Sequence, residues 1–171
     1  MEKKWEFLPD VIEDNYALTL HGLKEQGITY FAHGLERDGV RSCYFSDHRW
    51  GKLYIEKKLH EVDPYVLDGQ NTKSAFTLWD SIAMDNNGKE VCQARNEICG
   101  LVKGITFSIF RHDYHEILAF GTPYHLFNPE EMLTNPTVKQ TLIEIMKPAR
   151  LSHFNYRYGV INENTEENNT L

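Results

Sequence analysis

The segment Ile28-Thr29-Tyr30-Phe31-Ala32-His33-Gly34-Leu35-Glu36-Arg37-Asp38-Gly39-Val40-Arg41-Ser42-Cys43-Tyr44-Phe45 carries the first reading of the fold. Residues 28–36 and 40–45 are rich in β-branched and aromatic side chains, which fit a pleated, half-buried surface. Between them, Arg37-Asp38-Gly39 contains the Asp-Gly pair that a tight hairpin turn favours, because both central residues of that turn need positive φ. The segment therefore predicts a β-hairpin. Upstream, Pro9 sits where a first helical turn tolerates proline, and Val11, Ile12, Tyr16, Leu20 and Leu23 recur mostly at steps of three and four before Gly27. An amphipathic helix thus leads into the hairpin.

Downstream, Ser46 or Asp47 can cap a helix whose Trp50, Leu53, Tyr54 and Leu59 share one face. It must end before Pro64, since the residue preceding proline disfavours the helical region. Pro64 can open a short helix, and residues 73–82 read as a third strand before the Asp85-Asn86-Asn87-Gly88 loop. Val91, Ala94, Ile98, Leu101 and Val102 form another helical stripe, closed by Gly104 at a left-handed position. Residues 105–111 and 116–122 flank His112-Asp113-Tyr114-His115 as a second hairpin. Asn128-Pro129 and Asn135-Pro136 each pair a capping residue with proline, which makes the chain helical to about Tyr158, with a kink or break at Pro148.

Residues 162–171 are polar and read as a tail or interdomain linker. The expected organisation is one domain over residues 1–160 and a tail over 161–171. Its order, α-β-β-α-(α)-β-α-β-β-α, predicts an α+β fold: a five-stranded antiparallel sheet with helices on both faces, an α-β-α sandwich. A pocket between sheet and helices is the natural place for a ligand.

Composition narrows the function classes. The chain has 171 residues, 41% hydrophobic and 25% charged, which is ordinary for one domain with one core. It has neither the long apolar run of a membrane span nor a secretory leader at its start, which points to the cytoplasm. Cys43, Cys92 and Cys99 lack CxxC spacing and read as small buried residues. A net charge of -7 argues against gripping a phosphate backbone. His112, Asp113 and His115 lack a third and fourth ligand partner, and no zinc-protease, nucleophile-elbow, dinucleotide or P-loop motif occurs. Glu56-Lys57-Lys58 reads as a solvated helix face. No enzyme activity, metal or cofactor is predicted.

Four pieces remain: Trp50-Gly51-Lys52-Leu53-Tyr54, Val62-Asp63-Pro64, Phe76-Thr77-Leu78-Trp79-Asp80 and Gly100-Leu101-Val102-Lys103-Gly104-Ile105-Thr106. In this order they resemble the autoinducer-binding domain of LuxR-type quorum-sensing regulators, a GAF- and PAS-like sandwich, and the likeness covers nearly the whole chain. The resemblance implies an acyl-homoserine lactone as ligand. It assigns the Trp50 indole N–H to the lactone carbonyl and the Asp63 carboxylate to the ligand amide N–H. Tyr54 would line the acyl chain and Trp79 the ring. Ser46 departs from the pattern: many relatives carry tyrosine there, and serine could reach the acyl carbonyl only through a water. Each residue also has a plain structural reading. Trp50, Tyr54 and Trp79 can be core, Asp63 can cap the helix opened by Pro64, and Ser46 can be an N-cap.

The resemblance further implies a homodimer, no membrane attachment, and DNA contact only through a helix-turn-helix for which this chain has no room. A second reading is a ligand-free interaction module that dimerises with and modulates a full-length regulator. Large side chains filling the space beside Trp50 and Asp63 would favour it. A small hydrolase on the same sandwich is a third.

Overall fold

The computed structural model describes residues 4–8, 10–123 and 127–159, and the expectations for Pro9 and for the tail from residue 161 fall outside them. The hairpin forms as predicted, from β2 (Tyr30–Arg37) and β3 (Val40–Phe45), and its two turn residues take φ of 54° at Asp38 and 76° at Gly39. These are the positive angles that let a two-residue turn follow the right-handed strand twist. The second hairpin is β5 (Lys103–Phe110) with β6 (His115–Thr122).

Among the described residues six strands, not five, make the sheet, in the order β1-β3-β2-β6-β5-β4. The additional one, β1 (Lys4–Phe7), runs parallel to β3, with Trp5 opposite Arg41. Four residues alternating charged and aromatic are too short to announce a strand; the open edge of β3 supplies the backbone partners, and the Arg41 guanidinium lies 4.9 Å from the Trp5 ring centre. All other pairings are antiparallel. The third predicted strand shrinks to β4 (Phe76–Leu78): the Trp79 N–H still reaches the Gly104 carbonyl, but the Ser81 N–H bonds the Leu78 carbonyl in a turn that ends the pairing.

The helices are α1 (Asp10–Glu25), α2 (His48–Glu56), α3 (Pro64–Thr72), α4 (Asn86–Cys99), α5 (Glu131–Thr134) and α6 (Pro136–Tyr158), with a 3₁₀ turn at Leu59–Glu61. Asp47, not Ser46, caps α2, accepting from the N–H groups of Arg49 and Trp50. Gly100, not Gly104, ends α4 in the left-handed region at φ 66°. Gly104 instead lies inside β5, where a β-carbon would stand 2.4 Å from the Trp79 ring and 2.5 Å from the Phe120 carbonyl oxygen. Pro148 does not break α6, which continues through it to Tyr158. Cys43 and Cys92 are buried, and Cys99 is only partly so.

Strand alternation sorts the sheet into two faces. Phe31, Tyr44, Leu118 and Phe120 pack against Tyr16 and Leu23 of α1 and Leu142 and Met146 of α6. Tyr30, Cys43, Phe45 and Ala119 pack against α2, α3 and α4.

The α1/α6 side also holds a buried polar chain. Tyr16 Oη is 2.7 Å from both His33 Nδ1 and His153 Nδ1, Ser42 Oγ is 2.8 Å from His153 Nε2, and His33 Nε2 is 2.8 Å from Glu116. Arg150 closes the chain with bonds of 2.9 and 2.8 Å to the two Glu116 oxygens. Burial lowers the pKa of both histidines, so each is neutral. One proton arrangement then satisfies all five side chains. Ser42 donates to His153, His153 Nδ1–H to Tyr16, Tyr16 O–H to His33, and His33 Nε2–H to Glu116, which Arg150 neutralises.

Candidate functional site

A hollow lies on the other face, between the sheet and α2–α4. Its floor is open because strand positions that face each other carry small side chains: Ala32 pairs with Ala119, and Gly34 with Cys43. Its walls include Trp50 and Tyr54, one turn apart on α2, Asp63 at the start of α3, Tyr30 and Phe45 from the sheet, and Arg95 from α4. Trp50, Tyr54 and Asp63 thus converge, as the motif reading required.

Asp63 has two roles at once. Its Oδ1 caps α3 by accepting from the Tyr65 N–H at 3.0 Å, and its Oδ2 accepts from the Tyr54 hydroxyl at 3.0 Å. The same oxygen also receives Arg95 Nη2. Both members of this ion pair are 3% exposed, so each charge depends on the other. Burial alone would lower the Arg95 pKa, but the facing Asp63 raises it, and the guanidinium stays charged. Burial, followed by the charge of Asp63, drives the Tyr54 phenol far above its ordinary value of 10.0. Three rings surround the Arg95 guanidinium, with centres 5.4 Å away at Trp50, 5.0 Å at Tyr65 and 5.1 Å at Trp79.

Trp50 is fully buried, yet its Nε1–H has no acceptor among the described residues. The Tyr30 phenol stands near it without a hydrogen bond of acceptable geometry. The Trp5 Nε1–H, on the same hollow, is likewise unpartnered among the described residues. With Arg95 in place the free cavity is about 50 Å³. That is room for a few waters, far below the roughly 300 Å³ at which pockets for drug-sized ligands begin. A wider, open groove of about 460 Å³, lined by Phe7, Leu8, His48 and Ile55, shares Cys43, Tyr44 and Phe45 with the hollow.

The other two candidate residues stand off the hollow. The Ser46 hydroxyl accepts from the Phe31 N–H at 2.9 Å while the Ser46 N–H bonds the Phe31 carbonyl, so it prolongs the hairpin pairing. Trp79 stacks on Tyr65 at 5.1 Å, and its Nε1–H is already donated to Thr106 Oγ1 at 2.9 Å. It reaches the site only as a ring behind Arg95.

Arg95 is the residue that sequence reasoning missed. It falls four residues after Val91 and three after Cys92, and the buried face of α4 is Gly88, Val91, Cys92 and Arg95. A basic residue in register with core positions was the available signal. Among the described residues no cluster of His, Cys, Asp and Glu could hold a metal, and no helix is long and apolar enough to cross a membrane.

Comparison with solved structures agrees with this architecture. CepR2 from Burkholderia cenocepacia, described as an N-acylhomoserine-lactone-dependent LuxR-family transcription factor, superposes with a TM-score of 0.58, at 11% identity over 80% of this chain and 92% of that one. The fold is that of a LuxR-type autoinducer-binding domain. SdiA, known from Escherichia coli, in its complex with octanoyl-rac-glycerol gives a TM-score of 0.64 at 15% identity over 90% of this chain. This chain spans 64% of that SdiA chain. The VqsR ligand-binding domain from Pseudomonas aeruginosa gives 0.58 at 14% identity over 85% of this chain and 90% of that one. No family model and no curated protein matches the sequence. The LuxR-type likeness is therefore one of fold.

Proposed function

We propose that this domain is the signal-receiving part of a LuxR-type quorum-sensing regulator, and that its hollow takes an acyl-homoserine lactone or a related amphiphile. The observation that carries the reading is the unpartnered indole N–H of Trp50, wholly buried and on the same hollow as Asp63. A buried donor without an acceptor costs about 1–3 kcal/mol, and a ligand carbonyl would relieve it. Asp63 would accept the ligand amide, Tyr54 would line the chain, and the groove beyond Phe45 offers the tail a continuation. Occupancy would stabilise the folded domain by mass action and favour a homodimer.

A second reading, a ligand-free module that pairs with a full-length regulator, is favoured by Arg95, which already pairs with Asp63 on a hollow whose free volume is about 50 Å³. Thermal denaturation against acyl-homoserine lactones of graded chain length separates the two. The sensor reading expects a melting-temperature rise for at least one compound, lost in Trp50→Phe. No rise with any compound favours the ligand-free module.

A further inference from the structure

We infer that Arg95 is a built-in surrogate for the signal's head group: its guanidinium gives Asp63 the N–H donor a ligand amide would give, and fills the place that head group would take. The inference rests on the sensor reading of the hollow, and adds to it a reason why Asp63 is paired from within the chain.

Three observations converge. Asp63 already has three donors, from Tyr54, the Tyr65 backbone and Arg95, which leaves a fourth N–H little to gain. The guanidinium is flat and delocalised, and it lies among Trp50, Tyr65 and Trp79, the aromatic setting in which a flat polar head group would also be held. The surrogate also enters from α4 while Asp63 caps α3, so the ion pair fastens these two helices to each other. A head group with an N–H donor must therefore displace Arg95 before it can reach Asp63, and its apparent affinity falls by the population of the displaced state. An acceptor-only group faces no such competition at Trp50.

The test compares three proteins by thermal denaturation and by titration with N-octanoyl-homoserine lactone: wild type, Arg95→Ala, and Arg95→Leu combined with Asp63→Leu. The double variant carries neither buried charge, so it stays folded if the site tolerates an apolar filling. Arg95→Ala is expected to bind the lactone at least about tenfold more tightly than wild type. At a ligand concentration roughly 100 times its Kd, its melting temperature should rise about 3 °C or more beyond the wild-type shift at the same concentration. If Arg95→Ala is unfolded alone, folding on addition of the lactone is the same result. The double variant should show no lactone response.

Wild type binding the lactone as tightly as Arg95→Ala overturns the surrogate and leaves the sensor reading standing. Arg95→Ala responding while wild type does not upholds the surrogate and removes lactone sensing by the native chain. Response in neither, with the double variant folded, overturns both.

Discussion

At the scale of single residues, the site depends on a charge and on an absent side chain. Removing Arg95 alone leaves the Asp63 carboxylate buried without its counter-ion, and breaking such a pair costs about 3–5 kcal/mol. Removing both charges avoids most of that penalty. Urea denaturation of Arg95→Leu should accordingly show a much larger loss of stability than the Arg95→Leu/Asp63→Leu double variant, and equal losses would mean the pair is not the main interaction at the site. Gly104 is the complementary case. A methyl group there would meet the Trp79 ring and a backbone oxygen that cannot turn aside. Gly104→Ala should cost about 1–3 kcal/mol, read as a lower urea midpoint than wild type. Of these residues, Trp50, Tyr54 and Asp63 were legible from spacing and resemblance. Arg95 was not, because charged residues on amphipathic helices usually face water, and only the partner Asp63, 32 positions away, makes its burial tolerable.

At the scale of elements, the hairpins were readable because turn chemistry and strand composition are local. β1 was not, since its pairing with β3 is a property of an edge that only the folded sheet creates. Ser46 and Asp47 compete for one capping position, and the one whose carboxylate reaches two amides prevails. The packing of α1 and α6 against the sheet through the His33–Tyr16–His153 chain carries a pH dependence. Both histidines have folded pKa values below their ordinary 6.5, so the unfolded chain binds protons first as pH falls, and stability declines below about pH 6.5. Burial would raise the Glu116 pKa, but the hydrogen bonds from His33 and Arg150 outweigh it and hold the carboxyl at about 2. Its contribution, on the order of 3 kcal/mol, is complete above pH 4.5 and is lost between there and about pH 2. Urea midpoints measured from pH 8 to pH 3 should fall in that direction, and His153→Gln should flatten the upper part of the slope. A midpoint independent of pH between 7 and 5 would contradict neutral buried histidines.

At the scale of the whole molecule, the α-β-α sandwich was legible from element order even though the solved structures that share it are only 11–15% identical. Order and turn signals survive where side chains diverge, because the sheet requires the topology and only the site requires the residues. The net charge of -7 makes the folded chain repel itself, while its principal ion pairs, Arg95 with Asp63 and Arg150 with Glu116, are buried from counter-ions. Raising ionic strength should therefore increase the melting temperature slightly, by no more than a few degrees, and a decrease would indicate that exposed ion pairs dominate.

All three tryptophans, Trp5, Trp50 and Trp79, belong to the side of the sheet that bears the hollow, and none to the side held by α1 and α6. The protein's intrinsic emission is thus a one-sided optical probe. Light absorbed by indole reports whatever enters or leaves the hollow, while loosening of the histidine-bearing layer would proceed almost unseen until the sheet itself gave way.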